Sequence, residues 1–99
     1  MNVIEIEDLT QLATELQEDF CVLKIWSERC GPCIKYTPMF KEIAQQYQGI
    51  NFCSVNVSKK LFPPMPVPTT LIIVNGIIKN KIMGANKTAV FKAIDEILK

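Results

Sequence analysis

Between Phe20 and Trp26 the chain runs Phe-Cys-Val-Leu-Lys-Ile-Trp, an almost unbroken apolar stretch. A run of strand length without alternation predicts a strand covered on both faces, as in a parallel sheet, with Lys24 as its one anomaly. Upstream, 2–6 alternates weakly and predicts a short strand. Asp8 followed by Gln11 is a capping-box pattern. Leu9, Leu12, Ala13 and Leu16 then recur at the spacing of one helical face. Downstream, Tyr36, Phe40, Ile43, Ala44 and Tyr47 mark a second, longer helix. Pro38 lies inside it and is expected to kink it. Gly49 is expected to end it as a C-cap residue.

The remaining segments are shorter. Phe52–Val57 and Thr69–Val74 predict strands. Asn75-Gly76 is a strong signal for a two-residue type I′ hairpin, leading into a strand at Ile77–Met83. Asn86 is placed to cap a last helix with Val90, Ile94, Ile97 and Leu98 on one face. The segment Ser58–Pro68 holds Pro63, Pro64, Pro66 and Pro68, which forbids a regular helix beyond a first turn. The order β-α-β-α-β, loop, β-β-α predicts an α/β fold. Right-handed crossovers give parallel strands first, the hairpin adds antiparallel ones, and helices cover both faces of the mixed sheet.

Composition narrows the function classes. Ninety-nine residues predict one domain over 1–99, and 48% hydrophobic with 21% charged residues marks a globular chain rather than a disordered one. A formal net charge of +1 argues against nucleic acid as a partner. No apolar run approaches the roughly 20 residues of a membrane span. The start, Met-Asn-Val-Ile-Glu, has no basic n-region and meets acid within five residues, unlike an export signal, so a cytoplasmic chain is expected. The absence of His removes the commonest general base and the usual zinc ligand sets. Acids crowd into 1–28, with Lys24 as the one base there, whereas 29–92 is basic apart from Glu42. The asymmetry describes either solvated faces of opposite sign or a positive field around the central segment.

That central segment holds the candidate chemistry. Cys30-Gly31-Pro32-Cys33 is a Cys-x-x-Cys pair at a strand-to-helix junction. If Cys30 sits at the N-cap, its sulfur faces the unpaired amides and positive dipole end of the helix, which lowers the thiol pKa. Pro32 suits the first turn, and Cys33 falls on the same face within disulfide reach. A zinc site would need a second ligand pair, but Cys21 and Cys53 stand singly on strands, so no metal is expected. Those two cysteines fit as buried small hydrophobes, with a regulatory or intermolecular thiol as the alternative.

The stretch Trp26-Ser27-Glu28-Arg29-Cys30-Gly31-Pro32-Cys33, with Pro38 five residues on, resembles the active-site segment of the thioredoxin family. Val67-Pro68-Thr69 resembles the family's cis-proline turn, and Asn75-Gly76 and Gly84 fall where its later glycines do. The resemblance covers almost the whole chain and implies a thioredoxin-like fold. It implies Cys30 as attacking thiolate and Cys33 as resolving thiol, with Gly31 and Pro32 giving the reducing type of pair. Pro68 would pack beside the disulfide, although the sequence does not separate it from Pro66 as the cis residue. The Val67 backbone would pair with an extended target peptide, and Trp26 would cover one side of the site.

Three departures stand out. Arg29 replaces the family's second Trp, either making the rim cationic or standing as a plain solvated side chain. The proline-rich loop is several residues short, so the helix usual there is reduced to a turn or lost. Lys24 takes the strand position where the family keeps a buried Asp near the resolving Cys, and Ser54 stands where a Lys often sits. Lys24 would stabilise thiolates if charged, accept the Cys33 proton if neutral, or snorkel to water with no role.

The expected activity is therefore reduction of target-protein disulfides by dithiol exchange, with electron transport and cell redox homeostasis as its setting. Expected partners are disulfide-bearing proteins and a thioredoxin reductase, with no bound cofactor and a monomeric chain. The alternatives are an oxidant or isomerase of the same fold, and a binding module whose cysteines are incidental.

Overall fold

The computed structural model describes residues 3–99. Five strands form one sheet: β1 (Ile4–Ile6), β2 (Phe20–Trp26), β3 (Asn51–Asn56), β4 (Thr69–Val74) and β5 (Ile77–Met83). Their order is β1-β3-β2-β4-β5. β1 and β2 both run parallel to β3, while β4 runs antiparallel to β2 and to β5. The apolar run at 20–26 is thus the central strand, hydrogen-bonded on both edges and packed on both faces. The expected mixed sheet is observed, with β3 starting and ending one residue earlier than its apolar pattern. Asn2, expected in the first strand, lies outside the described residues.

Helices cover both faces. α1 (Leu9–Leu16) lies on one, and α2 (Gly31–Gln45) and α3 (Lys87–Leu98) on the other. Alternation along β2 divides its side chains accordingly. Cys21, Leu23 and Ile25 join Leu12, Cys53, Val55 and Leu71 on the α1 face. Val22 joins Tyr36, Phe40, Ile43, Phe52, Ile72 and Ile94 on the α2–α3 face, and Lys24 shares its parity. This second core is built on aromatic contacts, with Phe52 edge-on to Phe40 at 5.7 Å and stacked on Tyr47 at 6.3 Å.

The local signals act as their chemistry requires. Asp8 accepts from Gln11 N at 2.8 Å and Asn86 from Ala89 N at 3.0 Å, each satisfying a first-turn amide. The Gln11 side chain returns to Glu7 N at 2.7 Å, one residue before the amide a capping box would use. Asn75 and Gly76 take φ of 51° and 78°, both positive as a type I′ turn demands. The register shifts by one residue between Ile72 and Ile73, which pair with Asn80 and Ile78 and leave Lys79 of β5 without a partner, as in a β-bulge.

Pro38 lies inside α2 as expected, and Ile34, whose carbonyl loses its donor there, is exposed to water. Other expectations are corrected. α2 ends at Gln45 with Gln46 as its cap, so Gly49 (φ 79°) turns the chain towards β3 instead of capping. Tyr47 therefore lies beyond the helix, yet it packs on Phe52 and Phe91 and donates to Asp95 Oδ1 at 2.7 Å. Leu9, Ala13 and Leu98 are exposed, leaving Leu12 and Leu16 as the face α1 offers the sheet. The segment before Thr69 keeps a single 3-10 turn at Val57–Lys59, as its prolines require.

Phe52→Ala removes the ring joining Phe40 to Tyr47 and leaves a cavity. It is expected to cost about 3–5 kcal/mol, read from the urea midpoint at unchanged slope.

Candidate active site

The site begins where β2 stops. Trp26 is the last residue of the strand, and a four-residue connection delivers Cys30 as the N-cap of α2. Extended backbone at Cys30 (φ −114°, ψ 108°) turns its side chain back over the first turn. The Cys33 amide donates to Cys30 Sγ at 3.1 Å, so a sulfur holds the capping position usually taken by oxygen. That amide and the aligned peptide dipoles favour negative charge on the sulfur. Cys30 and Cys33 are joined as a disulfide, with Cys30 half-buried and Cys33 1% exposed. The two sulfurs are therefore unequal: one is reachable from solvent and the other is turned into the protein.

Across the site, the Val67–Pro68 peptide bond is cis, which identifies Pro68, rather than Pro66, as the cis proline. Val67 O stands 3.7 Å from Cys30 Sγ. The turn is held by Gly84 N donating to Pro68 O at 2.8 Å and by Thr69 Oγ1 donating to Pro66 O at 2.6 Å. Trp26 is half-buried, and its Nε1 donates to Glu5 Oε2 at 3.1 Å. Gly31 and Pro32 form the exposed first turn of α2. A Cβ on Gly31 would meet no atom within 4 Å, so the glycine leaves the approach open without being sterically required. Arg29 is exposed, and its backbone amide donates to Ser27 Oγ at 3.4 Å.

Lys24 is 4% exposed. Its Nζ donates to Thr37 Oγ1 at 3.2 Å, and Thr37 Oγ1 donates to the Cys33 carbonyl at 3.0 Å. The ammonium is thus linked to the backbone of Cys33 by one hydroxyl. It also lies 5.5 Å from the Phe40 ring centre and 5.9 Å from that of Trp26. Burial pulls its pKa below the usual lysine value, Lys41 adds to the fall and Glu5 opposes it. A crevice of about 220 Å³ lined by Glu5, Lys24, Thr37, Lys41 and Ser54 runs beneath α2. Ser54 Oγ is buried there without a hydrogen-bond partner among the described residues.

Beside the site, on the α1 face, lies a second cavity of about 520 Å³ between the ends of β2 and β3 and the proline-rich loop. Leu61, Phe62, Met65 and Val67 line it while packing on the core beneath. The sequence pattern singles out neither Thr37 nor the contact of the Val67 carbonyl with Cys30 Sγ. Thr37 had a weak signal, since a Thr four residues after Cys33 in a helix commonly bonds back to that carbonyl. Among the described residues no group of three or more metal-ligating side chains occurs.

A protein-family model described as Thioredoxin matches residues 3–96. Thioredoxin M-type, chloroplastic, of Brassica napus is 37% identical over 84 residues, covering 78% of this chain and 48% of that protein. Thioredoxin-3, mitochondrial, of Saccharomyces cerevisiae is 28% identical over 102 residues, covering 97% and 80%. The chain spans about half the length of the first plant and nematode relatives it matches, 48% and 45%. Among solved structures, a Schistosoma mansoni thioredoxin superposes with a TM-score of 0.86 at 26% identity, covering 96% of this chain and 94% of that one. The oxidised thioredoxin of Plasmodium falciparum also gives 0.86, covering 97% and 98%, and at 22% identity it speaks for the fold alone.

The buried lysine predicts a pH dependence. The unfolded chain holds the Lys24 proton up to about 10.5, whereas the folded chain releases it at lower pH. Between those two values the unfolded state binds more protons, so stability rises with pH. Lys24→Met is expected to be more stable than the parent at neutral pH, with a gap that narrows as pH climbs towards 10.5. Urea midpoints of the two proteins across that range check it.

Proposed function

Since this chain belongs to the thioredoxin family, we propose that its Cys30–Cys33 pair reduces disulfides in target proteins and is itself re-reduced by a thioredoxin reductase. The observation that carries the reading is the capping bond from the Cys33 amide to Cys30 Sγ, set beside the burial of Cys33. In the reduced protein, the Cys30 thiolate attacks one sulfur of a target disulfide. A mixed disulfide forms and the other target sulfur leaves as a thiolate. Cys33 then attacks Cys30 Sγ and releases the second target thiolate. The target gains two electrons, and Cys30 and Cys33 end joined as they are here. Because Cys33 is buried, it meets only the sulfur of Cys30, which confines it to the resolving step.

In this reading an extended target segment lies along Val67, whose backbone pairs with it as an added strand. Pro68 brings no N–H to compete for the sulfur. Trp26 walls the α2 side, Gly31 and Pro32 leave the approach low, and Arg29 supplies a cation at the rim. Phe62 and Met65, half-buried on the other flank, offer an apolar ledge. The proposed working form is a monomer in the cytoplasm, where thiols are kept reduced. Organelle placement, as in the chloroplast and mitochondrial relatives, is the competing outcome of a fractionation experiment. A buried Lys24 that keeps its charge beside the pair favours a second reading, an oxidant. Its signature is a reduction potential well above that of a reducing dithiol, measured against glutathione.

Reduction of insulin by dithiothreitol is expected to be accelerated by the parent protein and not by Cys30→Ser. Cys33→Ser is expected to accumulate mixed disulfides with targets from cell extract, since the resolving attack is gone. At neutral pH one equivalent of iodoacetamide is expected to label Cys30 before Cys33, and a reversed preference would overturn the assignment.

Met65→Ala tests the ledge. A raised KM for a protein disulfide at unchanged melting temperature is expected. A lower melting temperature at unchanged kinetics assigns Met65 to core packing instead.

A further inference from the structure

Strands β2 and β3 hold two more cysteines that the Cys30–Cys33 chemistry does not use. Cys21 and Cys53 are free thiols, 1% and 0% exposed, with their sulfurs 3.8 Å apart. Their meeting follows from strand register. Cys53 stands beside Leu23, so Cys21, two residues earlier, is its diagonal neighbour on the same sheet face. Asn51, directly opposite Cys21, donates through Nδ2 to Glu15 Oε2 at 2.8 Å. The same carboxylate oxygen lies 3.8 Å from Cys53 Sγ. Glu15 belongs to α1 and is half-exposed, so the dithiol is one side chain away from water. The helix above it is lightly held, since Leu12 is its one fully buried residue.

We propose that Cys21 and Cys53 are a second redox site, a buried dithiol that a small hydroperoxide converts to an intrachain disulfide. In the first step the Cys21 sulfur attacks one peroxide oxygen and the O–O bond breaks. With hydrogen peroxide this leaves a sulfenic acid on Cys21 and one water, the thiol proton ending on the departing oxygen. In the second step the Cys53 sulfur attacks Cys21 Sγ. The hydroxyl leaves and takes up the Cys53 proton, relayed by Glu15, as a second water. Two thiols and one peroxide thus give one disulfide and two waters, with two electrons passing to the peroxide.

The electrostatics set the order of the steps. The contact between the two sulfurs holds the Cys21 pKa below the usual thiol value, against burial and the charges of Glu15 and Glu18. That same contact, burial and the neighbouring Glu15 push Cys53 up. Cys21 is therefore the first nucleophile and Cys53 the resolving one. Burial selects the oxidant as well. A protein disulfide reaches Cys30 at the surface and has no path to Cys21. The two sites are also separated along β2, where the five residues from Cys21 to Trp26 span about 16 Å. No direct exchange joins them in one molecule.

The test uses the full chain with Cys30–Cys33 already oxidised, treated with hydrogen peroxide, then denatured, alkylated and digested with trypsin. The free-thiol count is expected to fall from two to none on a monomeric chain. Peptides 1–24 and 42–59 should be joined by a bond that dithiothreitol reverses. Cys53→Ser is expected to leave a sulfenic acid on Cys21 that dimedone traps, and Cys21→Ser to leave Cys53 unlabelled. An unchanged thiol count, sulfinic acid without linkage, or linkage between two chains would each overturn the proposal. The parent protein alone decides between these, whether or not the serine variants fold.

Discussion

Strand β2 has no side to give to water. It is flanked by β3 and β4, with α1 over one face and α2 over the other, and that double cover governs much else. It fixes the register that brings Cys21 beside Cys53. It makes Lys24 expensive, because an ammonium on this strand must find its partners inside the protein. It also stops abruptly at Trp26, and the chain must turn at the C-terminal end of this central strand into α2. A strand so thoroughly anchored holds the start of that helix, and hence Cys30, in one place.

The chemistry then follows from a deficit. A helix begins with amides that no backbone carbonyl can satisfy. Here one of them is answered by sulfur, so the need of the fold and the need of a leaving thiolate coincide at one atom. Val67 O approaches the same sulfur from β4's side of the sheet. The first contact is local to the helix start, between residues three apart, whereas the second spans 37 residues and depends on the antiparallel pairing of β2 with β4. The full site therefore needs the sheet as well as the Cys-x-x-Cys segment.

How much of this was legible depended on the range of the interaction. Asp8, Asn86 and Asn75-Gly76 act within a few residues, and each does what its side chain or φ preference dictates. The unalternating run at 20–26 announced a central strand, and Cys30 at the helix start followed from the junction. The end of α2 was misjudged because Tyr47 kept the helical spacing while its backbone had already left the helix. Leu9 and Leu98 show the same weakness, for periodicity marks a direction around a helix but not how far the sheet extends beneath it. The Lys24–Thr37–Cys33 chain and the Cys21–Cys53 contact were out of reach, since both rest on which residues a register places side by side. The fate of 58–68 was legible for a negative reason: four prolines rule out most conformations before any contact is made.

One further consequence lies at the far edge of the sheet. β5 is the terminal strand, and Ile77, Ile78 and Met83 on it are more than half exposed. Such an edge is a template on which another chain can add a strand. Lys79 and Lys81 stand in its middle, both exposed, and in a chain of net charge +1 no strong overall repulsion keeps copies apart. Resistance to aggregation therefore rests on local charge. That protection reaches about 10 Å at 0.1 M salt and only about 3 Å at 1 M. Added salt therefore weakens the protection that Lys79 and Lys81 give this strand edge, independently of how firmly the core is packed.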